Sequence, residues 1–261
     1  MRPFHTEGRK LRGETAIDTG ISLFLPAYNE EENVEYMVRT ASTVLQGLVG
    51  RNWEIIVVDD GSTDSTPSIT ETLSSADPRV RLVSHNGNRG FGAAVRTGIE
   101  SSTHPWIFYT DCDGQFDLNE MELLWRERHR ADIISGFRRR RRDPGMRLMY
   151  SLLWNSLTTI MFMRSFRDVD ASFKLFRASI FQRVRPRSTC GVIDFEIMTL
   201  ARDMGYRILQ LPVSHYPRRA GTVSFEAVRT GFIAWVRVGP IIEMFRQLVE
   251  FRIRTWTGRV R

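Results

Sequence analysis

Short apolar runs alternate with longer segments in which apolar residues recur every three or four positions, the pattern of strands joined through helices. Ile21–Leu25, Trp53–Val58, Val80–Val83 and Trp106–Tyr109 are the first four predicted strands. The second is apolar on both faces, as a parallel-sheet strand covered by helices must be. Helices are predicted from Glu31 to about Val49, from Thr66-Pro67, from Phe91, and over Leu118–Arg130, where Met121, Leu124 and Trp125 form an apolar stripe. Glu31 and Glu32 lie at the start of the first helix and suit the positive end of its dipole. Asp132–Phe137 and Tyr206–Val213 are further strands, and Pro212 places the latter at a sheet edge. Between them Ala178–Val184 and Cys190–Met204 read as helices, with Gly205 ending the second. The sum is an α/β domain.

The flanks differ. Residues 1–20 are polar and charged and read as a flexible leader. Met146–Met163 is almost wholly apolar or hydroxylated and is bracketed by Arg147 and Arg164, which suits a buried helix or one lying in a membrane interface. Residues 224–261 form a tail, with Ala227–Phe251 read as a helix broken at Gly239-Pro240. Phe232, Trp235, Ile242 and Phe245 are set there among arginines, a pattern that serves a membrane surface, a packed helix or a dimer face. No uncharged apolar stretch of ~20 residues occurs, so no spanning helix is expected, and the N-terminus lacks the apolar core of a signal peptide.

Composition sharpens the partner question. The 261 residues carry 37 basic and 30 acidic side chains, a net charge of +7. Lysine occurs only at 10 and 174, so the balance is carried by arginine, which binds phosphate groups in a bidentate manner. Anionic partners follow: nucleotides, phospholipid surfaces or nucleic acid. Cys112 and Cys190 make no disulfide framework and point to a reducing compartment.

The densest chemistry lies at the ends of predicted strands, where open parallel sheets bind ligands. Asp111 and Asp113 follow the fourth strand two residues apart, so in extended geometry they share a face, and Gly114 permits the turn beyond them. Two carboxylates held together call for a cation, and oxygen donors suit Mg2+ or Mn2+. Asp59 and Asp60 end the second strand and can hydrogen-bond a ribose or base edge, while Asp64 or Ser65 caps the helix that follows. The glycine-rich stretch Asn86–Ile99 opens a helix whose N-terminus, beside Arg89, could hold a diphosphate. Arg138–Arg142 extends from the fifth strand onto the same edge. His85, His104, His129 and His215 are isolated and read as structural or exposed.

Taken in order, Pro26-Ala-Tyr-Asn-Glu30, Asp59-Asp-Gly-Ser-Thr-Asp64, Asn88–Gly98 and Asp111-Cys-Asp-Gly-Gln115 resemble glycosyltransferase family 2, and within it the polyprenyl-phosphate (dolichyl-phosphate) mannosyl- and glucosyltransferases. The resemblance implies a GT-A, Rossmann-like fold over about residues 21–223, a nucleotide-sugar donor, a divalent metal and inversion at the anomeric carbon. It places Pro26, Tyr28, Glu30 and Asp59 along the nucleoside, with Asp60 close by. Asp111, Asp113 and Gln115 would hold the metal on the diphosphate. Arg138 and Arg147 match basic positions used toward a lipid phosphate, and Arg218 matches a basic loop near the diphosphate. The chain departs from the group at Cys112, where a small residue is usual, at Val223-Ser224-Phe225, and in Asp168–Phe173.

The expected activity is transfer of mannose or glucose from a GDP- or UDP-sugar to polyprenyl phosphate. The expected setting is the cytoplasmic membrane face, with peripheral attachment and a possible homo-oligomer. A phosphate acceptor needs no general base. A transferase acting on a sugar hydroxyl would need one, with Asp194 or Glu196 the candidates. A non-catalytic basic binding protein is the remaining alternative. Its nucleic-acid form, through Arg138–Arg142, predicts steep salt dependence, and no nucleic-acid partner is expected.

Overall fold

Three strands buried along their whole length form the middle of the structure: β1 (Ile21–Ala27), β2 (Trp53–Asp59) and β4 (Trp106–Thr110). The computed structural model describes residues 19–139, 162, 166–221, 229–230, 233–234 and 238–257. With β3 (Val80–Ser84), β5 (Ile133–Arg138), β6 (Phe173–Arg177) and β7 (Ile208–Val213), the strands make one seven-stranded sheet in the order β3-β2-β1-β4-β6-β5-β7. All strands run parallel except β6, which pairs antiparallel with both β4 and β5. Pro212 does lie in the edge strand β7, where its missing N–H costs no ladder bond.

Alternation along the strands makes two cores. Leu23, Leu25, Ile55, Val57 and Phe108 face α1 (Val34–Val49), α2 (Thr66–Ala76) and α4 (Met121–Arg126). Phe24, Ile56, Val58, Ile107 and Tyr109 face α3 (Phe91–Ser101), α5 (Val192–Asp203) and α6 (Val238–Trp256). Burial on both faces is why these strands read as continuous apolar runs.

Several predicted elements are shorter than their patterns. Leu118–Arg130 divides into a 3-10 turn at Leu118–Glu120 and the six-residue α4. Arg128 ends α4: its guanidinium lies over the Trp125 ring at 4.2 Å and donates to the Trp125 carbonyl at 3.0 Å. Ala178–Gln182 is likewise a 3-10 turn. In the tail, Arg229–Thr230 and Ile233–Ala234 pair as short antiparallel strands, β8 and β9, where a helix was expected. Gly239-Pro240 does not break a helix but lies in the first turn of α6, where proline's missing N–H has no partner to lose. The segments 1–18, 140–161 and 222–228, which hold most of the leader, Arg140–Arg142, Arg147 and Val223–Phe225, lie outside the described residues. Within Met146–Met163 only Phe162 is described. It is buried and stacks on Phe251 of α6, 5.0 Å between ring centres.

One polar staple holds the amino end of the sheet. Glu54 on β2 accepts from Ser22 Oγ of β1 at 2.6 Å, from Thr103 N at 2.8 Å and from Arg81 Nη2 of β3 at 2.7 Å. Burial by itself would raise its pKa, but these donors outweigh burial and hold it below the ordinary 4.5. A carboxylate depressed in this way stabilises the fold above its unfolded-state pKa, and the contribution is lost as pH falls through the folded value. Glu54→Gln is expected to cost about 2 kcal/mol near neutral pH. The gap to wild type should narrow below pH 4.5, as urea denaturation at the two pH values would reveal.

Candidate active site

Parallel pairing puts the carboxyl ends of β1, β2, β4, β5 and β7 on one edge, and every predicted site segment that is described lies there. Asp111 follows β4 and is partly exposed, and Cys112 turns into the core. Asp113 is buried and accepts from Gln115 N at 3.0 Å across the turn that Gly114 makes at φ 71°. The segment after β7 then returns alongside. Phe116 and His215 form an antiparallel bridge, Tyr216 N donates to Gln115 O at 2.8 Å, and Gln115 Nε2 donates to Tyr216 O at 3.1 Å.

This return carries Arg218 into the site. Its guanidinium pairs with Glu30 Oε1 at 2.5 Å and stands 3.7 Å from Asp113 Oδ2, while Nε donates to Ala220 O at 2.8 Å. Glu30 also accepts from Asn33 Nδ2 at 2.8 Å. Burial and then the neighbouring Asp113 push the Asp111 pKa up to about 8, against an ordinary 3.8. Burial also raises Asp113 and Glu30, the latter despite its bonds from Asn33 and Arg218. Glu30 and Asp113 thus share one arginine, with Asp111 beside Asp113, and the site is short of positive charge. Its oxygen donors fit a hard divalent cation. Among the described residues no group of three His, Cys, Asp or Glu side chains forms a protein-only cage, so a cation here would share its shell with oxygens of a ligand.

The β1 and β2 ends are laced together. Asn29, at φ 56°, accepts from Thr63 N at 2.8 Å, and Glu31 accepts from Ser65 N at 2.9 Å. Pro26 is buried in β1, Tyr28 is half-buried, and Asp59 is buried with Ser62 N on its Oδ1 at 3.0 Å. Asp64 rather than Ser65 supplies the acceptor for α2, taking Thr66 N at 3.0 Å.

Asp60 is turned to a different task. Its carboxylate takes His85 Nδ1 at 2.6 Å, Arg89 N at 2.9 Å and Gly90 N at 2.8 Å. Within the first turn of α3, Gly92 N donates to Thr189 O at 2.8 Å. The amides of Arg89 and Gly90, just before α3, and of Gly92 are therefore engaged by Asp60 and by the 188–190 segment. That segment lies so close that a Cβ at Gly92 would meet Ser188 O at 2.6 Å.

Arg138 ends β5 on the same edge. It is held by Asp168 in a bidentate pair, Nε to Oδ2 at 2.8 Å and Nη2 to Oδ1 at 2.6 Å. The two candidate bases are both engaged. Glu196 is fully buried and takes Arg187 N, Ser188 N and Arg254 Nη2 of α6. Asp194 is buried against Tyr109 Oη and Lys174 Nζ. Lys174 and Asn33 escaped sequence reasoning. A lysine inside an apolar run, Phe173-Lys-Leu-Phe176, was the available signal for the first.

Known proteins resemble this chain in sequence and in fold. Glycosyltransferase AglD of Haloferax volcanii is 30% identical over 231 residues, 85% of this chain and 36% of that protein. The dolichyl-phosphate beta-glucosyltransferase ALG5A of Trichomonas vaginalis is 28% identical over 211 residues, 74% of this chain and 64% of its own length. The chain thus spans between about a third and under two thirds of these curated relatives. Glucosyl-3-phosphoglycerate synthase from Mycobacterium tuberculosis, solved with Mn2+, UDP and phosphoglyceric acid, superposes with a TM-score of 0.64 at 18% identity. The match covers 93% of this chain and 83% of that one, and identifies the fold as GT-A-like. The glycosyl transferase family 2 model matches residues 22–185, more than half of the chain, and the chain belongs to that family.

Proposed function

We propose that the protein transfers a hexose, mannose or glucose, from a GDP- or UDP-sugar to the phosphate of a polyprenyl phosphate, inverting the anomeric carbon. The observation that carries the acceptor class is the engagement of Asp194 and Glu196. A sugar hydroxyl must lose a proton as it attacks, and both candidate carboxylates are buried in ion pairs. A phosphate monoester is already anionic and needs only to be held in line with the sugar. One relative is named for this acceptor class.

Asp111, Asp113 and Gln115 would hold Mg2+ or Mn2+, which when bound supplies positive charge to the departing diphosphate. A GT-A-like neighbour solved with Mn2+ and UDP supports a divalent ion. Pro26, Tyr28 and Asp59 line the nucleoside. Glu30 aims Arg218 at the diphosphate oxygens, where negative charge grows as the sugar leaves. Asp60 keeps the loop before α3 closed behind the donor. Arg138, its plane fixed by Asp168, holds the acceptor phosphate together with Arg147.

The lipid is reached from the cytoplasmic membrane face by peripheral contact. No described helix is long and apolar enough to cross a membrane. On α6, however, Ile242, Phe245, Val249, Ile253 and Trp256 recur at three- and four-residue intervals and form one stripe. Ile242 is 62% exposed, Phe245 51%, Ile253 54% and Trp256 83%, while the opposite face buries Leu248 and Phe251. An exposed apolar stripe with tryptophan at one end suits the headgroup boundary.

The test is a donor panel of GDP-mannose, UDP-glucose and UDP-N-acetylglucosamine. Each is incubated with polyprenyl phosphate in detergent, with Mg2+ or Mn2+ and then with chelator. One donor is expected to give chelator-sensitive glycolipid. Nucleotide binding without lipid product would move the acceptor to a sugar hydroxyl. Absence of nucleotide binding by folded protein would remove the enzyme reading. In a companion liposome flotation, Ile253→Ser/Trp256→Ser is expected to stay at the bottom. A variant that floats normally but loses a dimer would give the stripe to a second copy.

A further inference from the structure

Beneath Asp111 lies a fully buried ion pair that the proposed chemistry does not use. Register places Lys174 of β6 directly opposite Tyr109 of β4, with Asp111 two residues further along. The Lys174 side chain has no exposed surface. Its Nζ pairs with Asp194 Oδ1 at 2.8 Å and donates to Ala171 O. Tyr109 Oη donates to the same Asp194 oxygen. The Tyr109 ring cannot swing away, since it is stacked between Phe24 at 5.2 Å and Phe176 at 6.0 Å. The same register, continued one pair beyond Thr110 and Phe173, sets buried Ser172 opposite Asp111. A chain of polar groups therefore runs from the first turn of α5 through Asp194, Tyr109 and Ser172 to Asp111.

Stability does not account for such a pair. Burying two charges costs about as much as their attraction returns, and well-packed apolar residues commonly serve a fold equally well. Location does account for it. The pair is neutral as a unit, so it adds no charge that would repel a cation at Asp111. Its hydrogen bonds hold rigid the polar group of Tyr109 and Asp194 beneath that carboxylate. An unmated Lys174 would place a buried positive charge beside the cation site. An unmated Asp194 would add a further carboxylate to an already crowded cluster.

We propose that Lys174 and Asp194, acting through Tyr109 and Ser172, are positioning residues that fix the Asp111 carboxylate for divalent-cation binding. This rests on the reading of Asp111 as a cation-holding group.

The experiment measures the Mn2+ dissociation constant of the purified chain by the electron paramagnetic resonance of free Mn2+. It is run in the presence of UDP and repeated with GDP, and melting temperatures are taken alongside. Three variants are compared with wild type: Ser172→Ala, the apolar replacement Lys174→Met/Asp194→Leu, and Asp111→Asn as control. The double variant is expected to melt near wild type but to bind Mn2+ at least about tenfold more weakly, as removal of groups that orient a metal ligand commonly does. Ser172→Ala is expected to weaken Mn2+ severalfold with an unchanged melting temperature. A folded double variant with wild-type Mn2+ affinity would overturn the proposal. Should the double variant not fold, wild-type affinity in Ser172→Ala would overturn it equally. The control separates the two readings. If Asp111→Asn abolishes binding while the others do not move it, only the positioning role falls. If Asp111→Asn has no effect, the cation reading falls and takes this inference with it.

Discussion

Replacing Asp111 by asparagine is expected to lower sugar transfer by about a thousandfold or more, because a site short of positive charge loses a donor for the ion that would supply it. Stability should move the other way. Burial and the adjacent Asp113 raise the Asp111 pKa from 3.8 to about 8, so in the cation-free protein the folded state favours the protonated carboxyl. A carboxyl raised on folding contributes stability at low pH that is lost as pH rises through its folded value. Cation-free wild type should accordingly weaken between mildly acidic pH and pH 8, and Asp111→Asn should lack that slope and melt higher at pH 8. Melting curves across this range in chelator, beside transfer assays with the active donor, measure both effects. Equal melting profiles for the two proteins would mean that Asp111 is not under the strain the geometry implies.

Arg218→Met is expected to cost about two to three orders of magnitude in transfer, the usual effect of removing a charge that meets a leaving group. The loss should fall on turnover at saturating donor as well as on donor affinity, since negative charge on the diphosphate grows only as the bond to the sugar breaks. Among the described residues Arg218 is the salt-bridge partner of both Glu30 and Asp113, so its removal leaves two neighbouring buried carboxylates without a counter-charge. Arg218→Lys restores the charge but cannot hold Glu30 and Asp113 while also bonding Ala220 O, and should recover only part of the rate. Steady-state kinetics of the two variants separate charge from geometry. A Met variant with normal turnover would remove Arg218 from the reaction.

The sequence by itself determined the parallel core of the sheet and the positions of its acidic ends. Strands buried on both faces must be largely apolar, and β1, β2 and β4 are, so local pattern alone places the motifs that follow them on one edge. Pro212 announced its edge strand for an equally local reason. The antiparallel β6 was not legible, because Lys174 interrupts its apolar run and only the facing Asp194, on a distant helix, makes that charge tolerable in the core. The helix expected at Leu118–Arg130 was overextended because periodicity does not register where a side chain such as Arg128 ends a helix.

Within the site the division is the same. Asp111 and Asp113 were legible as a pair from their spacing, although β4 ends at Thr110 and the turn through Cys112 and Asp113, not strand alternation, sets them side by side. That Asp60 would be spent on His85 and the Arg89 and Gly90 amides, that Arg138 would be locked to Asp168, and that Glu30 would meet Arg218 across 188 residues was decided only by the tertiary structure. Hydrophobic pattern and local propensity specify which residues are buried and in what element. The partner that satisfies each buried polar group comes from whichever segment packing brings within reach, and nothing local in the chain encodes that segment.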